Sequence, residues 1–374
     1  MAGTSGFWAP QYNWRSNNRL RSELNLFYQH SDRLNVVGGV EVRYSSIGAG
    51  NITSTTPPAD ETGAAPSGLL GGNQINSRDI GTYAQAQWHV AAPVKLVVGG
   101  RFDNNKIKQN GGYGTVFNPR LAGVFTHKGL VYKVIYATAF QDAPNFQKYQ
   151  TVPGVRELTN PGLKPEKVKN VEASVEWDPR PNVSVEVTGY RSNYRGIVQE
   201  VSGVPCPQIP GCTVTNQFQN VGRLELQGLQ AEAKWAIGGW HLDGNYTFAH
   251  PRDPDRNQRV GDIASHRVNL LGATSFFNER LDADVHLNTV IGRQTGKGTT
   301  VDASPYTEIP NYAILGAALT YRRLFTGIDL QFSVENMLDT EYWDPSLRNP
   351  SGFPIAARIP QPGATAWVRL RLYR

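Results

Sequence analysis

The feature that most constrains this chain is a period of two that recurs along almost its whole length. Ala84, Ala86, Trp88 and Val90 alternate with Tyr83, Gln85, Gln87 and His89. After Ala91-Ala92-Pro93, Leu96, Val98, Gly100 and Phe102 alternate with Lys95, Val97, Gly99 and Arg101. Val171, Ala173, Val175 and Trp177 interleave with Glu172, Ser174 and Glu176, and a Pro/Asn turn leads into Val183, Val185 and Val187. Leu34, Val36, Val40, Val42 and Tyr44 repeat the pattern near the start. Successive side chains of a strand point to opposite faces, so this spacing predicts strands with one apolar and one polar face.

The connections fall into two alternating populations. Short ones are expected around residues 30–32, 91–93, 127–129, 179–181, 237–239, 278–280 and 322–326, and long ones at 47–77, 141–166, 203–213, 250–261, 296–308 and 338–361, with a smaller one near 107–112. Short turns on one side and long loops on the other are the sidedness of an outer-membrane barrel. Composition agrees once alternation is allowed for. Hydrophobic residues make up 39% and charged residues 18% of the 374, because lipid-facing and inward-facing positions average to a polar total. No run approaches the ~18 apolar residues of a spanning helix, so a membrane crossing must use strands in a closed barrel. The pattern predicts an all-β fold, an antiparallel transmembrane β-barrel of about fifteen strands, occupying 1–374 as one domain.

Charge excludes one class of partner. The formal net charge of +6 is spread among acidic residues along the strands, with no basic block or aromatic-basic motif, so no nucleic-acid partner is expected. Cys206 and Cys212 are separated by Pro-Gln-Ile-Pro-Gly. Such a pair in a loop reads as a disulfide of an oxidising compartment, and no further His or Cys stands near to make a metal site. Met1–Gly6 carries no basic segment followed by an apolar one, so no signal peptide is read there.

Val334-Glu335-Asn336-Met337-Leu338-Asp339-Thr340-Glu341-Tyr342 resembles the V-x-N-L-F-D-T-x-Y signature near the C-terminus of TonB-dependent outer-membrane receptors. Other landmarks follow in the family's order. Asn118-Pro119-Arg120-Leu121 precedes Tyr136-Ala137-Thr138-Ala139-Phe140, and Asn160-Pro161-Gly162-Leu163-Lys164-Pro165-Glu166 is similar to the family's NP-x-L-K-P-E element. Gln219–Gly222 with Gln227–Glu232, then His266-Arg267-Val268-Asn269, then Ile359–Gly363 complete the set. The matches span about residues 80–374, and large plugged transporters have 22 strands. The resemblance therefore maps the chain onto the last two-thirds of such a barrel, without the plug domain or early strands. The motif residues themselves read as fold markers: Asn336 and Asp339 are expected to organise a strand-to-loop exit, and Lys164 and Glu166 to sit at the rim.

What the resemblance implies is TonB-coupled active uptake of a scarce substrate such as a ferric siderophore or corrinoid, in the outer membrane of a Gram-negative bacterium. TonB would be reached only through the missing N-terminal region. Outer-membrane lipid and the barrel assembly machinery are the other implied partners; members usually end in Phe or Trp, and this chain departs from that with Arg374. An alternative is a passive, porin-like pore formed by a reduced barrel, with a sixteenth strand drawn from Phe7–Tyr12. No enzyme is expected: there is no G-x-S-x-G, H-E-x-x-H or phosphate-binding Gly loop, and the seven histidines are dispersed. No cofactor is expected either. An outer-membrane hydrolase ranks third.

Ligand recognition is expected on the long loops, where aromatic faces and guanidinium groups suit an anionic chelate. The candidates are Phe146, Tyr149 and Arg156 in the first such loop, Arg252 and Arg256 in another, and Tyr342, Trp343, Arg348 and Phe353 in the last, with Arg358 beside them. Trp88, Trp177, Trp235, Trp240 and Trp367 lie near expected strand ends and are assigned to the interfacial girdles.

Overall fold

A computed structural model describes residues 12–52, 74–108, 111–149, 157–207, 212–295, 308–345 and 358–373. It is almost entirely strand. The first set is β1 (Tyr12–Ser31), β2 (Leu34–Ile52), β3 (Gln74–Ala91), β4 (Val94–Ile107), β5 (Gly114–His127) and β6 (Leu130–Gln141). A short helix α1 (Asn145–Tyr149) and β7 (Glu157–Leu158) precede β8 (Glu166–Arg180), β9 (Val183–Pro205), β10 (Val214–Ile237) and β11 (Trp240–Asp253). Next come β12 (Gln258–Arg259), β13 (His266–Phe276), β14 (Leu281–Ile291), β15 (Arg293–Gln294), β16 (Glu308–Ile309) and β17 (Tyr312–Phe325). The chain continues through β18 (Ile328–Glu335), β19 (Trp343–Pro345), β20 (Arg358–Pro360) and β21 (Thr365–Leu372). Among the described residues seventeen strands share one sheet, and β15–β16 and β19–β20 form separate two-stranded pairs. Two of the seventeen, β7 and β12, have only two residues, which leaves the fifteen long strands expected from the alternation.

The seven short connections fall where the sequence places them. Asp32-Arg33, Ala92-Pro93, Lys128-Gly129, Pro181-Asn182, Gly238-Gly239 and Thr326-Gly327 are two-residue turns, and Phe277–Arg280 is a four-residue turn. Two long connections are shorter than expected, since β2 runs to Ile52, β3 begins at Gln74 and β11 reaches Asp253, while the last is longer, from the end of β18 at Glu335 to the start of β21 at Thr365. Hairpin hydrogen bonding continues past the apolar band, because a ladder needs paired backbones and not lipid. For the sixteenth strand, residues 7–11 lie outside the described residues, and Tyr12 opens β1. No helix among the described residues is long and apolar enough to cross a membrane.

The chain divides into two compact units: one comprises residues 1–122, 136–169 and 194–223, the other 123–135, 170–193 and 224–374. In the first, β1 to β4 pair in antiparallel order, with Val40 opposite Leu24 and Thr82, and Ala84 opposite Gly100. Val40, Val98 and Phe102 are exposed on one face, while Glu41, Asp103 and Asn105 are buried on the other. There Glu41 accepts from Arg21 Nε at 3.0 Å and Arg101 Nη2 at 3.2 Å, and Arg101 Nε reaches Asp103 at 2.8 Å. Gly81 makes this bridge possible, since a Cβ there would fall 2.1 Å from Arg101 Nη2.

In the second unit, β10, β11, β13, β14, β17, β18 and β21 follow one another in antiparallel register. Its polar face carries an amide ladder: Asn269 donates to Asn245 Oδ1 at 2.7 Å and Asn288 donates to Asn269 Oδ1. Leu319, Phe332 and Val368 are exposed on the opposite face. One girdle assignment fails. Trp367 stands opposite Ser333, in alternation with Val368 opposite Phe332, so its ring lies on the polar face with Arg369. Strand parity outranks the preference of tryptophan for an interface.

Candidate functional site

The motif residues are clasps. Asn220 Oδ1 accepts from Lys164 N at 2.8 Å, and its Nδ2 donates to Lys164 O and Gly196 O, each at 2.8 Å. Glu166 Oε1 accepts from Val198 N at 2.7 Å, and Asn160 Nδ2 donates to Phe218 O at 2.9 Å. Asn336, 2% exposed, donates to Thr340 O and Pro362 O while accepting from Thr340 N. Asp339 Oδ1 accepts from Ala364 N at 2.8 Å. Both residues have a φ of 51°, a left-handed conformation that Asn and Asp tolerate better than other side chains. These bonds reverse the chain after β18 and hold up the loop that carries Tyr342 and Trp343.

Above that clasp the second unit gathers a cluster of rings and charges. Arg358 Cζ lies 4.5 Å from the Trp343 ring centroid, and the Tyr312 and Tyr342 centroids are 4.8 Å apart. Arg293 Nη1 pairs with Asp344 at 2.5 Å and its Nε donates to Asp262 O at 3.1 Å. Burial, reinforced by Asp344 and Glu335, raises the Tyr342 phenol above its ordinary value, so it remains a neutral donor near pH 7. Arg293 is neutralised by its partner. Arg358 has no carboxylate partner among the described residues, and its charge rests on the Trp343 face alone. Of the residues gathered here, the sequence reading names Tyr342, Trp343 and Arg358 as loop candidates and leaves out Tyr312, Arg293 and Asp344, which come from separate strands and carry no local signal.

A second cluster lies in the first unit, after β6. Lys148, with 0% side-chain exposure, donates to Asp142 Oδ1 at 2.8 Å and Oδ2 at 2.7 Å. Tyr149, 3% exposed, packs with Ile75 and Ile107. Burial and the nearby Asp142 push the Tyr149 phenol up to about 12, and burial, with Asp79, Asp103 and Asp142, raises Tyr113 further. Tyr149 is therefore a support under its loop and does not present a ring to solvent, contrary to its expected role.

The remaining candidates scatter. Phe146 lies in α1. Arg252 donates to Asn257 Oδ1 at 2.5 Å and Arg256 pairs with Asp253 at 2.9 Å, both within the β11–β12 hairpin. Arg156, Arg348 and Phe353 lie outside the described residues. Cys206 and Cys212 form the expected disulfide, with Cα atoms 5.6 Å apart. Among the described residues no three His, Cys, Asp or Glu side chains are placed to hold a metal ion.

Comparison with known proteins agrees with this architecture. The chain is 23% identical over 286 residues to an iron-regulated outer membrane virulence protein of Vibrio cholerae, covering 71% of this chain and 42% of that protein. It is 21% identical over 196 residues to the heme/hemopexin utilization protein C of Haemophilus influenzae, covering 50% and 27%. It thus spans less than half the length of these curated relatives. The crystal structure of the siderophore receptor PirA from Acinetobacter baumannii superposes with a TM-score of 0.71 at 17% identity, over 96% of this chain and 55% of that one. A ferric enterobactin receptor of Pseudomonas aeruginosa, PfeA, gives 0.74 at 19%, over 96% and 54%. At such identities the structures establish the fold. The family described as TonB dependent receptor-like, beta-barrel matches residues 2–337, and the chain belongs to it.

Proposed function

We propose that residues 1–374 form the C-terminal part of one outer-membrane receptor barrel, whose complete form takes up a scarce iron chelate by TonB-coupled transport. The observation that carries this reading is the Arg358–Trp343 stack beside the Tyr312–Tyr342 pair. An aromatic face and a cation without a carboxylate partner attract a conjugated, anionic ligand. The names of the relatives favour a ferric siderophore or heme-type chelate over a corrinoid. Phe146, Arg252, Arg256, Arg348, Phe353 and Arg156 are the further candidates that the long loops of the sequence supply.

The test is intrinsic-fluorescence titration of the full chain, folded in detergent, with a panel of ferric siderophores, hemin and cyanocobalamin. Binding of an iron chelate that weakens about tenfold in Trp343→Ala and in Arg358→Ala, a change near 1.4 kcal/mol each, supports the reading. Saturable binding of cyanocobalamin alone would move the assignment to corrinoids. No binding by protein that retains heat-dependent electrophoretic mobility, together with steady conductance in a planar bilayer, would replace it with the passive pore.

A further inference from the structure

At the end of the second unit that holds the Thr326-Gly327 turn, the polar face carries a half-open cavity of about 460 Å³. Arg322, Arg323, Arg369 and Arg371 line it, with Asp282 and Asp329. Four cations against two anions leave a surplus of two positive charges. The aspartates do not neutralise the surplus. Asp282 is taken by Arg322 Nε at 2.5 Å, and Asp329 Oδ1 accepts from Arg323 N at 2.9 Å and from Tyr373 Oη at 3.1 Å. No acidic side chain among the described residues pairs with the guanidinium of Arg323, Arg369 or Arg371.

The backbone presents these groups in order. Arg369 stands opposite Gln331 and Arg371 opposite Asp329, while Val368, Leu370 and Leu372 occupy the alternate positions opposite Phe332, Leu330 and Ile328. The two arginines thus project on the polar face about 7 Å apart along the strand, away from the lipid side. Between Tyr321 and Phe325 the β17–β18 register shifts, and Arg323 takes a left-handed φ of 53°. Such an irregularity re-aims side chains, and here it brings Arg323 into the lining beside Arg322.

We propose that this cavity docks an extended acidic polypeptide segment, whose carboxylates at alternate positions pair with Arg369 and Arg371. The spacing of alternate residues in an extended chain matches that of the two guanidiniums, and each can take a carboxylate through two parallel hydrogen bonds. Gln331 and Thr320, also in the lining, offer an amide and a hydroxyl to the segment's backbone. A compact phosphate matches the two-residue spacing of Arg369 and Arg371 less well than carboxylates on alternate residues of an extended chain.

The test is fluorescence polarisation with a labelled peptide of alternating Glu and Ser, against the full chain folded in detergent. A peptide of alternating Gln and Ser serves as control. The expected result is binding of the Glu peptide alone, weakened about tenfold in Arg369→Gln/Arg371→Gln and weakened again as salt rises from about 0.05 M to about 0.5 M. Arg369→Lys/Arg371→Lys keeps the charge and loses the paired geometry, so it should bind with intermediate strength even if the Gln variant fails to fold. Equal binding of the Gln peptide, or unchanged affinity in a folded Gln or Lys variant, overturns the proposal. So does displacement of the peptide by inorganic phosphate at concentrations below the peptide's own Kd, which would make this a phosphate site.

Discussion

Asn336 shows what one side chain does in this fold. Its amide closes three hydrogen bonds around a left-handed residue that is almost wholly buried. Alanine there would leave Thr340 N, Thr340 O and Pro362 O short of a partner and would strain φ. Asn336→Ala should cost about 2–3 kcal/mol, read as a lower urea midpoint in detergent micelles; an unchanged midpoint would remove the clasp from the account. Lys148 and Asp142 are a second case. Burial raises the Asp142 carboxyl, and Lys148 only partly offsets this by hydrogen bonding and charge. A carboxyl whose pKa is raised on folding contributes most stability below the ordinary carboxylate range and loses it as pH rises through the folded value. Protection of amides 143–149, corrected for intrinsic exchange, should therefore be higher near pH 4 than near pH 7. Asp142→Asn should flatten that dependence, and Lys148→Met should loosen the segment by up to about 3 kcal/mol, the lower end for a buried pair because Asp142 keeps 28% exposure. A flat profile in the parent protein would refute the assignment.

The strand is where the sequence is most readable and where neighbours differ most sharply. Val98 is 53% exposed on the apolar face, while Val97 faces the other way. Val98→Arg should destabilise folding into bilayers by about 2–4 kcal/mol near mid-membrane, and Val97→Arg by far less. Equal costs would mean that the face assignment of β4 is wrong. The turns were legible for the same reason, since Pro, Gly and Asn interrupt alternation sharply. Loop boundaries were less so, because β2 stays paired with β1 through the glycine-containing stretch Gly48-Ala49-Gly50-Asn51, which looks like loop. The Cys206–Cys212 bridge closes a segment of sequence separation 6, so it constrains little chain. Reduction should release about 2 kcal/mol of local order at most, seen as faster exchange near 203–215 with the strand amides unaffected.

For the molecule as a whole, the exposed apolar faces define where lipid must be. Trp88, Trp177, Trp235 and Trp240 are 44–49% exposed, and Trp88 and Trp177 share faces with Leu96, Val171 and Val175. In single-tryptophan variants reconstituted in brominated phospholipid, Trp88 and Trp177 should be strongly quenched. Trp367, on the polar face, should not be; quenching there would reverse the register of β21. The sequence by itself determined the all-β class, the short turns and the family, because each depends on a local period or a contiguous motif. It also put Tyr342 and Trp343 in the loop that follows β18, because the motif that ends there is contiguous. Only the tertiary structure decided that Tyr149 is a buried support, that Arg358 lies on Trp343 and that Arg293 is neutralised by Asp344. It alone brought Arg322 and Arg323 into one cavity with Arg369 and Arg371. Those relations join residues far apart in the chain, and strand register, which no local pattern encodes, sets which of them meet.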